Sequence, residues 1–114
     1  MKNLLKILLV LGILLTGSLS LNAKEIYLSQ QTTKDYSVHV KVYDDLKLGD
    51  NEFNVKILYK TKSLDGVNVN LKLYKPNGEI VEYKSNTIND KRNYTFDVKL
   101  IEKGQYKYLI TYNV

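Results

Sequence analysis

Strict alternation of apolar and polar residues runs through the stretch Tyr36-Ser37-Val38-His39-Val40-Lys41-Val42. A period of two is the pattern of a β-strand with one buried face, because successive side chains point to opposite sides of the backbone. The sequence therefore predicts a strand here. Its valines face a core, and Ser37, His39 and Lys41 face water.

The same period recurs along the rest of the chain. Further alternating segments are 53–59, 67–73, 94–100 and 106–112, and a weaker one, Glu25 to Ser29, precedes a predicted polar linker, 30–34. The order Lys75-Pro76-Asn77-Gly78 is typical of a hairpin turn, so 79–84 is predicted to return antiparallel to 67–74. About seven strands at this spacing, with no helical periodicity, predict an all-β protein with an antiparallel β-sandwich fold.

The first 23 residues have the three parts of a secretory signal peptide. Two lysines form a basic start, an apolar run extends from Ile7 to Leu15, and small and polar residues lead to Ala23. We predict cleavage after Ala23, which makes Lys24 the mature N-terminus and places the domain in the periplasm or outside the cell. The apolar run is expected to enter the bilayer as a helix. The alternative is an inner-membrane anchor formed by an uncleaved signal, with 4–21 close to the shortest span that crosses a bilayer.

The composition sets limits on the rest of the chain. Roughly 91 of the 114 residues follow the signal, enough for one domain with one core. We divide them into an N-terminal strand and linker, 24–35, and a sandwich domain, 36–114.

Cysteine is absent, which excludes a disulfide scaffold and a Cys-ligated metal site. The net charge of +5 falls to +3 without the two lysines of the signal, and the dispersed basic residues predict no nucleic-acid surface.

Two local patterns are more specific than alternation. Residues 49–55 turn at Gly49 and Asn51 and then start a strand, and Leu64-Asp65-Gly66-Val67-Asn68-Val69 opens the next one. The order Leu100-Ile101-Glu102-Lys103-Gly104-Gln105-Tyr106 resembles the corner before a late strand of immunoglobulin-like domains, where a Tyr after Gly bonds back to the backbone. Together they resemble the YtkA-like and FixH-like exported immunoglobulin-fold domains. The predicted structural positions are Gly49, Gly78, Gly104 and Tyr106.

This resemblance covers Tyr36 to Val114 and implies an immunoglobulin-like sandwich. Members of the group are often small bacterial envelope proteins, some of them associated with copper handling or oxidase assembly. As an alternative function, the resemblance thus implies an accessory role in metal handling or oxidase assembly. The Met- and His-bearing segment of the family would fall near Tyr74 to Gly78, where only Pro76 is retained.

Few side chains are available for catalysis or metal binding. Beyond the signal the chain has no Met and no Cys, and its one histidine, His39, falls on the polar face of a strand. Copper and zinc sites need several converging ligands, and a catalytic triad needs a base that only His39 could supply. We predict no catalytic residues, no metal and no cofactor. The acidic loop Asp44 to Glu52 offers oxygen donors but lacks the EF-hand spacing, so calcium binding there stays open.

We therefore predict a non-catalytic exported module that binds another protein or an envelope component. The candidate contact regions are two loops, 44–52 and 85–93, and an unpaired edge strand. A further candidate is an exposed aromatic patch that includes Tyr43 and Tyr74, which are out of phase with their strands. We expect the chain to meet the membrane only through its signal peptide.

Overall fold

The structure, a computed structural model, describes residues 4–13, 24–44 and 46–113, and over 4–13 it describes the backbone and its pairing. Ala23, where cleavage is predicted, lies outside the described residues. These ranges form nine strands and no helix. The strands are β1 (Leu4–Ile13), β2 (Glu25–Thr33), β3 (Tyr36–Tyr43), β4 (Gly49–Tyr59), β5 (Lys62–Ser63), β6 (Asn68–Tyr74), β7 (Ile80–Ser85), β8 (Tyr94–Leu100) and β9 (Gly104–Asn113).

The strands form two antiparallel sheets. Sheet A has the order β1-β9-β6-β7; in sheet B the order is β2-β3-β4, and both β5 and β8 pair with the other edge of β4. The prediction of an all-β antiparallel protein is confirmed. The predicted hairpin is confirmed too, since β6 pairs antiparallel with β7 and the Gly78 N–H donates to the Lys75 carbonyl at 3.0 Å.

The inner faces of the two sheets supply one hydrophobic core. Every second residue of β3, β8 and β9 is buried, as the alternation predicts. Phe53 of β4 meets Tyr108 of β9 edge to face across the two sheets, with ring centroids 6.3 Å apart. The buried apolar residues are Val38, Val40, Val42, Phe53, Val55, Ile57, Val67, Val69, Leu71, Leu73, Tyr94, Phe96, Val98, Leu100, Tyr106, Tyr108, Ile110 and Tyr112.

The N-terminal strand of sheet B is longer than predicted. β2 continues to Thr33, so most of the predicted linker 30–34 is strand. The prediction missed this because β2 is an edge strand with mostly exposed side chains, and its polar residues carry no alternation signal. The backbone hydrogen bonds of β2 are made by its pairing with β3. β2 has a bulge in this pairing, between Tyr27 and Ser29.

Ten residues of the predicted signal peptide form β1. They run antiparallel to β9 in an unbroken register, from the pair Leu4–Asn113 to the pair Ile13–Gly104. The described backbone of 4–13 is thus a strand, whereas the apolar run was expected to enter the bilayer as a helix. A continuous apolar run does not distinguish a helix from a strand, and the edge of β9 offers N–H and C=O groups that need partners.

Gly104 begins β9 at a close approach to a neighbouring loop. Its φ is +143°, and a Cβ placed on it would lie 2.7 Å from Cγ of Pro76. We expect Gly104→Ala to lower the free energy of unfolding by about 1–2 kcal/mol, because backbone strain and the clash add. The matched control is Gly49→Ala, where φ is +102° and no heavy atom lies within 4 Å, so that strain acts alone. Urea unfolding followed by circular dichroism measures both losses, and equal losses would contradict the role of Pro76.

Candidate functional site

The edge of β9 that faces β1 has the longest unbroken pairing among the described strands, with ten residue pairs. β9 lies between β6 and β1, so it is an inner strand only while β1 is in place. Its register is unbroken on both sides, and within its ten residues Lys107 is the one charged side chain. One face of the strand, from Tyr106 to Tyr112, is buried in the core. The edge therefore offers a straight row of backbone groups with a core beneath it.

Tyr106 fixes the corner at which β9 begins. Its side chain is fully buried, and its hydroxyl donates to the Glu102 carbonyl at 2.5 Å and accepts from the Glu102 N–H at 3.3 Å. The hydroxyl thus makes the bond back to the backbone that the resemblance of 100–106 to an immunoglobulin-like corner implies. These two contacts hold the turn between β8 and β9 and fix the point at which β9 begins.

A second buried tyrosine has a role that the alternation did not reveal. The Tyr94 hydroxyl donates to the Leu64 carbonyl at 2.9 Å and accepts from the Val67 N–H at 3.0 Å. Burial raises the pKa of the Tyr94 phenol above its ordinary value. The sequence places Tyr94 in the core by its phase, but no sequence signal links its hydroxyl to a loop about thirty residues away.

The edges of β2, β7 and β8 have features that discourage pairing with another chain. β2 contains the bulge between Tyr27 and Ser29, and β7 has six residues that include Glu82 and Lys84. At the edge of β8, the Lys99 N–H is occupied by the Tyr83 hydroxyl of β7 at 3.4 Å. β9 has neither a bulge nor a second charge along its edge.

An open groove of about 590 Å³ lies at the C-terminal end of β9. Amide and hydroxyl side chains line it, among them Asn70 of β6 and Thr111 and Asn113 of β9. The Oδ1 atom of Asn70 is buried and has no hydrogen-bond partner among the described residues. The groove lies across the ends of β9, β6 and β7, because Asn68 of β6 and Lys84 and Ser85 of β7 line it together with the residues of β9.

In the two loops predicted as contact regions, asparagine side chains form hydrogen bonds with the loop backbone. β4 already begins at Gly49, so the second half of the predicted loop 44–52 is strand. The remaining turn is closed by the buried side chain of Asn51. Its Oδ1 accepts a hydrogen bond from the Lys47 N–H at 3.0 Å, and its Nδ2 donates one to the Lys47 carbonyl at 2.7 Å. In 85–93, the Asn89 Oδ1 accepts from the Lys91 and Asn93 N–H groups, both at 3.0 Å.

The predicted aromatic patch is not formed. Tyr43 lies on β3 of sheet B and is 37% exposed, whereas Tyr74 lies half-buried on β6 of sheet A. Both are out of phase with the buried residues of their strands, as predicted, but that phase puts them on the outer faces of two different sheets. They therefore cannot belong to one contact surface.

Carboxylates on the outer face of sheet B converge on one buried amide. Asn54 is 4% exposed, and its Nδ2 donates to Glu25 at 2.8 Å and to Glu52 at 3.0 Å. Its Oδ1 accepts from the Thr95 hydroxyl at 2.7 Å. Within the described ranges, no three His, Cys, Asp or Glu side chains group closely enough to hold a metal ion.

His39 lies on the outer face of sheet B beside an aromatic ring and two lysines. Its ring is 5.7 Å from that of Tyr27, and Lys41 Nζ lies 4.6 Å from the same Tyr27 ring. Burial, and then the charges of Lys41 and Lys56, lower the pKa of His39 below 6.5. The unfolded chain therefore binds more protons than the folded one just below pH 6.5, and stability falls as the pH falls through this window.

This sign gives a prediction for the variant His39→Gln. The variant cannot take up the proton, so its free energy of unfolding should change less between pH 7 and pH 5 than that of the unmodified protein. Urea titrations at both pH values measure the two differences. The variant Ser37→Asn, on the same face of β3, is the control and should keep the full pH dependence. An unchanged difference in His39→Gln would contradict the lowered pKa.

Lys24, the start of the predicted mature chain, forms two hydrogen bonds with Asp44, the residue that follows β3. The Lys24 N–H donates to Asp44 Oδ1 at 3.0 Å, and the Asp44 N–H donates to the Lys24 carbonyl at 2.8 Å. Both residues are exposed. The predicted processing point therefore adjoins an accessible carboxylate.

Comparison with protein families, with curated proteins and with solved structures gives no match for this chain. Among the residues that the structure describes, no helix has the length and apolar character needed to cross a membrane.

Proposed function

We propose that this protein is a non-catalytic exported module of immunoglobulin-like β-sandwich type, which binds a protein or an envelope component in the bacterial periplasm. The observation that supports it most is the ten-pair edge of β9, a row of backbone groups suited to binding an extended segment of another chain. The core between the two sheets lies beneath that edge, since Tyr106, Tyr108 and Ile110 of β9 are buried in it.

The strand pairing supports the immunoglobulin-like assignment. In such domains the second and fifth strands pair in one sheet, and the third and sixth pair in the other. If β3 is counted as the first strand and the two-residue β5 is left out of the count, the β4–β8 and β6–β9 pairs take these two places. The remaining strand, β7, lies beside β6 as an added strand does in the variable type. The bond from the Tyr106 hydroxyl to Glu102 corresponds to the tyrosine corner of the sixth strand. β1 then stands where the seventh strand pairs in that fold.

The contact between Lys24 and Asp44 supports export with cleavage after Ala23. Cleavage would turn the Lys24 N–H into an ammonium group beside the Asp44 carboxylate, and a charged donor makes the stronger hydrogen bond. The new N-terminus would therefore be favourably placed at the start of β2.

Processing can be tested by the intact mass of the protein recovered from cells that express the full chain. We expect a mass that corresponds to a start at Lys24, and the full-length mass for the variant Ala23→Phe, because the signal peptidase accepts a small residue at that position. The control Asn22→Ser, one residue further from the cut, should be processed normally. A full-length mass for the unmodified protein would contradict cleavage.

Binding can be tested by chemical cross-linking in intact cells, with the tagged full chain expressed in its own host. We expect an envelope component to be enriched over a control in which the same tag is carried by an unrelated exported β-protein. The purified component should then bind the purified protein in a titration. The absence of any enriched component, while the protein is folded and exported, would overturn the proposed function.

A further inference from the structure

We propose that the edge of β9, Gly104–Asn113, is the binding site, and that the partner supplies an extended segment with bulky apolar residues at alternate positions. The segment pairs antiparallel with β9 and takes the place that β1 holds in the structure. This inference rests on the proposed function, since it names the surface and the chemistry by which the module binds.

The structure itself gives the form of the segment that fits. Leu4–Ile13 pairs with all ten residues of β9 without a bulge. The register partners of the buried residues Tyr112, Ile110, Tyr108 and Tyr106 are, in that order, Leu5, Ile7, Leu9 and Leu11. Directly opposed residues on neighbouring strands share one face of a sheet. A partner with apolar residues at these four positions would therefore extend the core beyond β9.

Processing would expose this edge. Cleavage after Ala23 removes the whole of β1 and leaves β9 with β6 as its one pairing strand. Half of the backbone groups of β9 then lose their partners over ten residues, because alternate residues of a strand hydrogen-bond to opposite sides. An edge of this length would favour addition of a further strand.

The contrast with the other edges supports the choice of β9. Strand addition is discouraged at β2 by its bulge and at the short β7 by its two charged residues. At β8 it is discouraged because the Tyr83 hydroxyl already accepts from the Lys99 N–H. The outer face of β9 is mostly polar and uncharged, with Lys107 as its single charge. The partner residues between the apolar ones are therefore expected to be polar.

A synthetic peptide gives a direct test with the exported protein recovered from cells that express the full chain. The peptide has the sequence of 4–13 with Thr in place of Leu4, Leu8 and Val10, and with lysines added at its ends for solubility. The control peptide has the same composition with its apolar residues in one block. Fluorescence anisotropy should give a dissociation constant at least about tenfold higher for the control, because its apolar residues cannot all face the core.

A second pair of peptides tests the backbone contacts. One is N-methylated at residues 5, 7, 9 and 11, and the other at 4, 6, 8 and 10. Only one of these two sets can donate to β9 in an antiparallel ladder, so one peptide should lose binding and the other should keep it. A photoreactive group at position 4 of the unmethylated peptide should label the end of β9 near Asn113, the register partner of that position.

The outcomes separate this inference from the proposed function. Equal binding of the alternating and block peptides, equal effects of the two methylation patterns, or labelling of β2 or β7 would overturn the edge assignment. So would an exported protein that keeps residues 4–13, because its edge would stay occupied. An envelope component that is captured but not displaced by saturating peptide would overturn the edge and leave the binding function standing. If no component is captured, the proposed function itself fails.

Discussion

Phe53→Ala is expected to remove a large part of the stability of this domain. Phe53 is fully buried at the centre of β4 and meets Tyr108 from the opposite sheet, so truncation opens a cavity between the two sheets. Loss of a buried phenylalanine side chain costs about 3–5 kcal/mol. Domains of this size have about 5–15 kcal/mol in total. If the total lies at the lower end of that range, the variant is close to unfolding at room temperature.

Two further variants make this prediction specific. Phe53→Leu keeps most of the apolar volume and should lose about half as much stability or less. Leu58 lies on the same strand, half-buried on its outer face. Leu58→Ala should therefore lower the free energy of unfolding by about 1 kcal/mol or less. Urea denaturation followed by circular dichroism gives the three free energies of unfolding. A loss below about 1 kcal/mol for Phe53→Ala would contradict a core shared by both sheets.

Tyr106→Phe is expected to show how much the corner before β9 contributes. The substitution removes one oxygen atom and keeps the buried ring, so both contacts with Glu102 are lost and little else changes. Leaving the two backbone groups without this partner should cost about 2–3 kcal/mol. For a domain of this size that corresponds to a fall in Tm of roughly 8–24 °C.

Tyr59→Phe is the matched control for this corner. The Tyr59 ring is 38% exposed, and we expect removal of its hydroxyl to change the free energy of unfolding by about 0.5 kcal/mol or less. Thermal unfolding of both variants by circular dichroism provides the comparison. Equal Tm values for the two variants would mean that the Tyr106 hydroxyl does not hold the corner.

The sequence predicted the strands that bury one face. β3, β4, β6 and β9 each read as alternation because one side of each strand lies against the core. The hairpin at Lys75 to Gly78 was predictable from its turn residues, because Pro and Gly constrain the backbone locally. Such features depend on neighbours in the sequence, which is why they can be deduced without a structure.

The features that were missed depend on distant parts of the chain. The polar half of β2 is a strand because β3 pairs with it, and its own residues do not reveal this. Asn54 is buried on an outer face because Glu25 and Thr95 surround it, although asparagine usually signals a turn or an exposed position. The pairing of β1 with β9 likewise depends on a distant part of the chain, because the edge of β9 provides the hydrogen-bond partners. The apolar run alone is equally consistent with a helix.

Residue-resolved amide hydrogen exchange of β9, measured by NMR on the exported protein, tests most directly whether this strand is an open edge that accepts a partner. We predict that alternate amides from Gly104 to Asn113 exchange rapidly in the free protein and become protected when the alternating peptide is added. Uniform protection of β9 without the peptide, or rapid exchange that the peptide does not change, would contradict the account.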